Sequence, residues 1–305
     1  MFFCRTRQWA VMVFFCSLAN KALAINDTLI VPLPDTLISL SCDTVTPSSR
    51  DTLISPSADS IPAYRSSEWY QTKGYRINKA YLASYVSDFP KVVTAPARYD
   101  RRDWITVGVS AAGAGLLLLA DKPIHRFMDQ HHTAFLNSAA NVVQPFGNSY
   151  PPMIIAGMYA AGLIAKDRRL EHASLMAAKS MVFSTVIYAT TKKLIRRQRP
   201  TYTDNNLDFR APFYGGKPFT SFPSGHTNTV FTLATALAME YKDKKWVPIV
   251  AYSIASLTAV SRLYQHRHWV SDVWVGAAFG HFITRGLYKV EEWKNRPAQK
   301  RELKF

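Results

Sequence analysis

The sequence predicts an all-α protein: a six-helix bundle, membrane-spanning, behind a disordered or extended N-terminal region. Two observations carry this. Six apolar stretches follow position 100, each near the roughly 20 residues that a bilayer core demands. Short basic clusters punctuate the chain: RYDRRD (98–103), KDRR (166–169), KKLIRRQR (192–199), KDKK (242–245) and a tail from Lys294.

The 305 residues allow one sizeable domain with appendages. With 37 basic and 21 acidic residues, the net charge of +16 calls for an anionic partner: nucleic acid, a membrane surface or a phosphorylated substrate. A nucleic-acid face would carry a continuous basic stripe and a binding motif, whereas these clusters suit the cytoplasmic loops of a membrane protein. A membrane is therefore expected as a partner rather than nucleic acid, and a phosphorylated substrate stays open; the sequence leaves the oligomeric state open.

Residues 1–24 read as a secretory signal peptide, with Arg5 and Arg7 before an apolar core at 9–19 and a small-residue exit at Ala22, Leu23 and Ala24. The alternative is an uncleaved anchor. Cleavage would remove Cys4 and Cys16 and leave Cys42, so no internal disulfide could form. Residues 27–62 repeat with a period of eight: DTLIVPLP, DTLISLSC, DTVTPSSR, DTLISPSA and then DSIPAYR. That period is too short for a helix-pair solenoid, and its Pro and Ser content opposes a packed core, so the segment reads as a tether; a partner-binding strand is the other reading. From 67 to 98 no clear period emerges beyond a possible short amphipathic helix. The expected organisation is 1–24 signal, 25–100 tether and linker, 101–290 helical domain and 291–305 basic tail.

The six stretches run over 104–120, 149–165, 172–191, 226–241, 246–264 and 268–288. Lys179, Glu240 and His281 interrupt them, and polar groups in spanning helices turn to the bundle interior or the interface. Overall hydropathy near zero keeps a soluble helical bundle as the alternative. Between the first two stretches, residues 121–150 place apolar side chains at helical spacing and suggest a lid on the membrane face. Placing KDRR and KDKK in the cytoplasm sends the motif-bearing helix ends outward. One conflict follows: six crossings put the start of the first helix inside, whereas a cleaved signal puts residues 25–100 outside.

Three segments carry chemistry. Lys192, Arg196 and Arg199 are four and three residues apart, and on a helix ended by Pro200 they share one face, able to neutralise a phosphate dianion. A basic membrane-interface cluster would look the same. Ser224, Gly225 and His226 precede a helical pattern and place backbone N–H groups at a helix N-terminus, where phosphate binds. Gly225 allows close approach and Ser224 offers a cap or a hydroxyl; taken singly, Ser224 reads first as a plain N-cap and His226 as a polar residue of the first turn. Arg262 ends the fifth stretch, and His268 and Asp272, four apart, open the sixth. The carboxylate can there accept a ring N–H and leave the other nitrogen free to attack. His266 falls on another face.

Together these read Kx6RP (Lys192, Arg199, Pro200), PSGH (223–226) and SRx5Hx3D (Ser261, Arg262, His268, Asp272). Over about 104–288 the chain resembles the type 2 phosphatidic acid phosphatase (PAP2) and vanadium haloperoxidase superfamily, with no motif position departing from the pattern. The resemblance implies a PAP2-type bundle and a hydrolase. In it His268 is the nucleophile that becomes phosphohistidine, Asp272 orients it, and His226 protonates the leaving oxygen. Lys192, Arg199, Arg262, Ser224 and the Gly225 backbone would hold the phosphoryl oxygens. Arg196 lies outside the pattern. No metal and no other cofactor is expected, since the cations take the place of the magnesium common in phosphoryl transfer.

The expected function is hydrolysis of a lipid phosphate or diphosphate at the outer, periplasmic face of a bacterial-type inner membrane. The alternatives are a soluble periplasmic acid phosphatase on small monoesters, a vanadium haloperoxidase, and a non-catalytic lipid-phosphate binder. Substrate choice is expected to rest on 121–150 and on the loop 201–222 with Phe209, Phe213, Tyr214 and Phe219.

Overall fold

The structure, a computed structural model, describes residue 70 and residues 76–295. The expected signal peptide, all three cysteines, the octad repeat and the tail beyond 295 lie outside the described residues. Eight α-helices are described: α1 Lys79–Val93, α2 Arg101–Gln130, α3 Ala134–Val143, α4 Tyr150–Ala165, α5 Arg168–Leu194, α6 Gly225–Glu240, α7 Trp246–Tyr264 and α8 Val270–Asn295. A two-residue antiparallel pairing joins β1 Arg196–Arg197 to β2 Phe209–Arg210. All six expected stretches are helical. The architecture is all-α, as the sequence predicts.

Local signals set the boundaries. Asp100 caps α2 by accepting from the Asp103 N–H at 2.8 Å. Between α4 and α5, Lys166 adopts the left-handed region at φ 54° and Asp167 accepts from the N–H groups of Arg169 and Leu170. A Cβ on Gly162 would stand 2.9 Å from the Glu171 nitrogen, so only glycine lets this corner close. The KDRR cluster is thus a tight helix–helix corner.

Helix α6 lies at the centre, packed on α8, α5 and α7. Gly276 and Gly280, one turn apart on α8, bring the two backbones together. A Cβ at Gly276 would meet the Ser224 carbonyl oxygen at 2.5 Å, and one at Gly280 would meet that of Asn228 at 2.5 Å. The core gathers Met176, Phe183, Leu233, Leu287 and Val290, with Val92 from α1.

The polar interruptions turn inward with partners. Lys179 pairs with Asp88 of α1 at 3.0 Å, Glu240 with His172 at 3.0 Å, and His281 hydrogen-bonds Tyr252 at 3.1 Å. Helix α1 therefore belongs to the bundle, although it falls in the segment expected to be linker. The reason is that buried Asp88 satisfies the charge of buried Lys179.

Charge is distributed by ends. Asp103 of α2 pairs with Lys289 of α8, Arg169 with Asp243, and Lys294 with Asp88. The clusters at 98–103, 166–169 and 242–245 thus share one end of the bundle with the C-terminal end of α8. The motif segments occupy the opposite end. Among the described residues, α2 and α7 are long and apolar enough to cross a membrane, and α4 is a shorter apolar helix. None of the apolar window of α2 is buried. Leu116 and Leu119 of α2, Ile164 of α4 and Ile249 of α7 are all exposed. A water-soluble bundle rarely leaves so many large apolar side chains bare along its helices, so this exterior is that of a membrane protein. Helix α2 runs ten residues past the expected stretch, and α3 packs on α7.

Candidate active site

At the end opposite the basic corners, the C-termini of α5 and α7 meet the N-termini of α6 and α8. The turn between α7 and α8 buries His268. Its Nδ1 donates to the Ser221 carbonyl at 2.7 Å, and among the described residues nothing bonds Nε2. This fixes the tautomer, leaving a lone pair on Nε2. Burial first, then the charges of Lys192 and Arg199, hold the imidazole well below its ordinary pKa, so it is neutral and nucleophilic.

Asp272 departs from expectation: it does not accept the His268 N–H. Its Oδ2 takes the Ser221 hydroxyl at 2.5 Å and the Trp269 N–H at 3.0 Å, while Oδ1 pairs with Arg197 at 2.6 Å. The carboxylate reaches back one helical turn to cap α8 and grips the residue whose carbonyl holds the ring. Asp272 thus acts on His268 through Ser221.

The cations surround this ring. Lys192, at the end of α5, donates to the Thr220 carbonyl at 2.8 Å, and Arg199 Nε to the Thr220 hydroxyl at 3.0 Å. Arg262 uses Nε and Nη2 on Ser261 and Nη2 on Gln265. Among the described residues no protein group bonds Nη1 of Arg199 or of Arg262, so each keeps donors for a ligand. Burial, then Arg199, lowers Lys192 to about 8. Burial, then Arg267, lowers Arg199. Each shift records positive charge held without its counterion.

The PSGH turn faces the same point. Its Phe222–Pro223 bond is cis. Ser224 is the N-residue of α6 but makes no side-chain cap; its hydroxyl accepts from Thr227 at 2.9 Å, leaving its own proton to donate outward. The first helical bond is Asn228 N–H to the Ser224 carbonyl at 3.0 Å, so the N–H groups of Gly225 and His226 precede the helical ladder. A Cβ on Gly225 would crowd the Tyr188 ring at 3.1 Å. His226 Nε2 is buried without a partner among the described residues. Burial, then Arg262, Arg199 and Lys192, lowers His226 to about 4. Gly147, just before α4, comes so near that a Cβ would stand 2.7 Å from that of His226, so the expected lid segment packs directly on it.

Lys192, Arg199, Ser224, Gly225, His226, Arg262 and His268 therefore gather in one cluster, with Asp272 behind it. Arg196 does not join their face. Helix α5 stops at Leu194, and Arg196 sits in β1, donating to the Gly216 carbonyl at 3.0 Å. The neighbouring Arg197 is the residue that sequence reasoning missed. Fully buried, it binds Asp272, Ser271 and the Asn206 carbonyl, and its Nη2 reaches Asp121 at 2.5 Å. Asp121 of α2 in turn accepts the Ser271 N–H at 3.0 Å, capping α8 from outside. A doubly basic dipeptide gives no hint of which arginine turns inward. Arg267, exposed beside the cluster, adds a further cation felt by Arg199 and His226.

Cations with unused donors, two neutral imidazoles and a helix N-terminus converge at one end of the bundle, an arrangement able to hold an oxyanion. Residues 173–296 match the PAP2 superfamily, and this segment is a PAP2 superfamily domain. The chain is similar to a lipid A 1-phosphatase of Porphyromonas gingivalis, 46% identical over 69 residues, which cover 22% of this chain and 16% of that protein. It is also similar to a lipid A 1-phosphatase of Rhizobium johnstonii, 35% identical over 106 residues, covering 34% of this chain and 42% of that protein. The chain thus spans less than half the length of these curated relatives. Among solved structures, a transmembrane PAP2-type phosphatidylglycerolphosphate phosphatase from Bacillus subtilis aligns with a TM-score of 0.44 and 23% identity over 70% of this chain and 98% of its own.

Proposed function

We propose that the protein hydrolyses a lipid phosphate or diphosphate through a phosphohistidine, without a metal ion in the reaction. The observation that supports this most directly is His268: buried, neutral, with Nδ1 committed to the Ser221 carbonyl and Nε2 open among Lys192 and Arg199. The phosphoryl oxygens would lie against Lys192, Arg199, Arg262, the Ser224 hydroxyl and the amides of Gly225 and His226. His268 Nε2 attacks phosphorus in line, and the bond to the leaving oxygen breaks as His226 hands that oxygen a proton. His226 is neutral in the free enzyme at pH 7, since its pKa lies near 4. Arrival of the anion offsets the cations that depress it, so His226 takes up its proton with the substrate. Water then attacks the phosphohistidine, with His226 as the base, and releases phosphate.

Lipid substrates are favoured over small soluble monoesters because the bundle exposes an apolar belt and the site lies at one end of it. Exposed Phe213 and Tyr214, in the loop beside the site, add an interfacial contact. The named activities of the relatives, lipid A 1-phosphatases, agree with a phosphorylated lipid headgroup. The orientation that accounts for the charge puts the basic corners in the cytoplasm and the site at the outer face.

The test is phosphate release from detergent-dispersed phosphatidic acid, phosphatidylglycerol phosphate, polyprenyl diphosphate and lipid A in excess EDTA. Release from at least one, abolished in His268→Ala, is the expected result. Full activity in that variant, or activity only after a divalent ion is restored, overturns the proposal.

A further inference from the structure

Beside the phosphoryl site stands a second cluster that the reaction does not use. Near its C-terminal end, α2 carries His125 and Asp129, and His132 follows just beyond its last turn. His125 and Asp129, four residues apart on the helix, share one face, and His132, past the helix end, comes to the same side. Against that face lies His266, in the turn between α7 and α8, held at φ 53°. His132 Nε2 and His266 Nε2 are 3.0 Å apart, and Asp129 Oδ1 lies 3.7 Å from the same His266 nitrogen. One ligand atom from each of the three lies within 4.8 Å of the others.

We propose that Asp129, His132 and His266 form a binding site for a divalent transition-metal ion of the zinc class. Zinc bound to imidazole nitrogen at 2.0–2.1 Å with tetrahedral angles needs ligand atoms about 3.3 Å apart. The two measured separations bracket that value. Outside this trio, His266 Nδ1 meets His125 Nδ1 at 2.9 Å. With His266 donating and His125 accepting, the Nε2 lone pair of His266 faces the other two ligands, and this outer contact is the kind that fixes a metal-binding histidine. Asp129 and His132 are exposed and His266 half-buried, so an ion can enter from solvent and water can complete its coordination.

The ion would take no part in phosphoryl transfer. It would tie the end of α2 to the turn that links Arg262, in the last turn of α7, to His268, a turn otherwise joined to α2 and α3 by side-chain contacts such as Gln265 with Asn141 at 3.1 Å. The site is thereby structural: it holds the spacing of two cradle residues and supplies neither nucleophile nor acid.

Full-length protein without a histidine tag, purified in detergent and stripped with EDTA, is titrated with Zn²⁺ and with Co²⁺. The expected results are one equivalent bound per chain, visible absorption from tetrahedral Co²⁺, and a higher Tm with Zn²⁺. His132→Ala and Asp129→Asn, exposed positions outside the phosphoryl cradle, should each bind at least about tenfold more weakly and lose the Tm shift, and His125→Ala should weaken binding by about 10- to 100-fold. Absence of uptake by the wild-type protein, or equal affinity in the wild type and both ligand variants, overturns the site. Neither result bears on lipid phosphate hydrolysis, which is read separately in EDTA.

Discussion

At the residue scale, chemistry depends on which atom of each ring is left free. In the proposed reaction Asp272 is a positioning residue, because it reaches His268 only through Ser221. Asp272→Asn should lower kcat by roughly 10²-fold or more with little change in KM, whereas Ser221→Ala, which keeps the carbonyl, should cost less than Asp272→Asn; equal losses would contradict the relay. Lys192 gives a pH signature. With its pKa lowered to about 8, it is charged below that pH and neutral above it, so anion binding is strong below and fades above. Affinity for a lipid sulfate, whose charge is constant over this range, should weaken through pH about 8, and Lys192→Arg should carry strong binding to higher pH. Flat affinity from pH 6 to 10 in the wild type would refute this. Lys192, Arg199, Arg262 and His268, which the structure brings together, stood out in the sequence as charged groups at fixed offsets on helix ends, while the roles proposed for them came from the family resemblance. Ser221 acts through a carbonyl that every residue possesses, so its part could be found only in three dimensions.

At the element scale, the site is held by how closely helices approach and by one buried ion-pair network. Gly276 faces the Ser224 carbonyl with no room for a Cβ, so Gly276→Ala must push α8 from the PSGH turn. The expected outcome is lost stability, by about 1–3 kcal/mol, and lost activity together, read as a lower Tm beside kcat. A variant with unchanged Tm and kcat would show that the contact is slack. Arg197→Met removes the charge that Asp121 and Asp272 share and leaves two buried carboxylates facing each other. It should destabilise by about 3–5 kcal/mol, and adding Asp121→Asn should recover part of that loss. Asp121 and Ser271 are 150 residues apart, so no window of sequence joins them. The six core helices were readable from apolar length, but the end of α2 was not. Residues 121–130 look like insertion because the apolar run stops, while the helix continues to place Asp121 and His125.

At the scale of the whole molecule, the arrangement is polar from end to end. In the described bundle, basic corners collect at one end, the proposed phosphoryl site at the other, and exposed apolar side chains lie between. The protein should sediment with membranes and leave them only with detergent; release by high salt alone would contradict the belt. With Cys4, Cys16 and Cys42 replaced by serine, Lys244→Cys, in the basic corner, should resist a membrane-impermeant thiol reagent in intact cells, and Lys217→Cys, in the loop beside the site, should react. The reverse pattern would invert the proposed orientation. The conflict between a cleaved signal and an inside start for the first helix turns on this same labelling, since Asp103 shares its end with Lys289. The sequence allowed a short helix within 67–98 but gave it no role, because its place in the bundle comes from Asp88 meeting Lys179, a charge pair made only on folding. The central claim is covalent, and mass spectrometry of protein quenched in alkali during turnover tests it most directly. The account predicts one phosphoryl group on the peptide bearing His268, absent from His268→Ala and more abundant when water attack is slowed by His226→Ala on a substrate with a good leaving group. A phosphoryl group on any other residue, or turnover undiminished in His268→Ala, would contradict it.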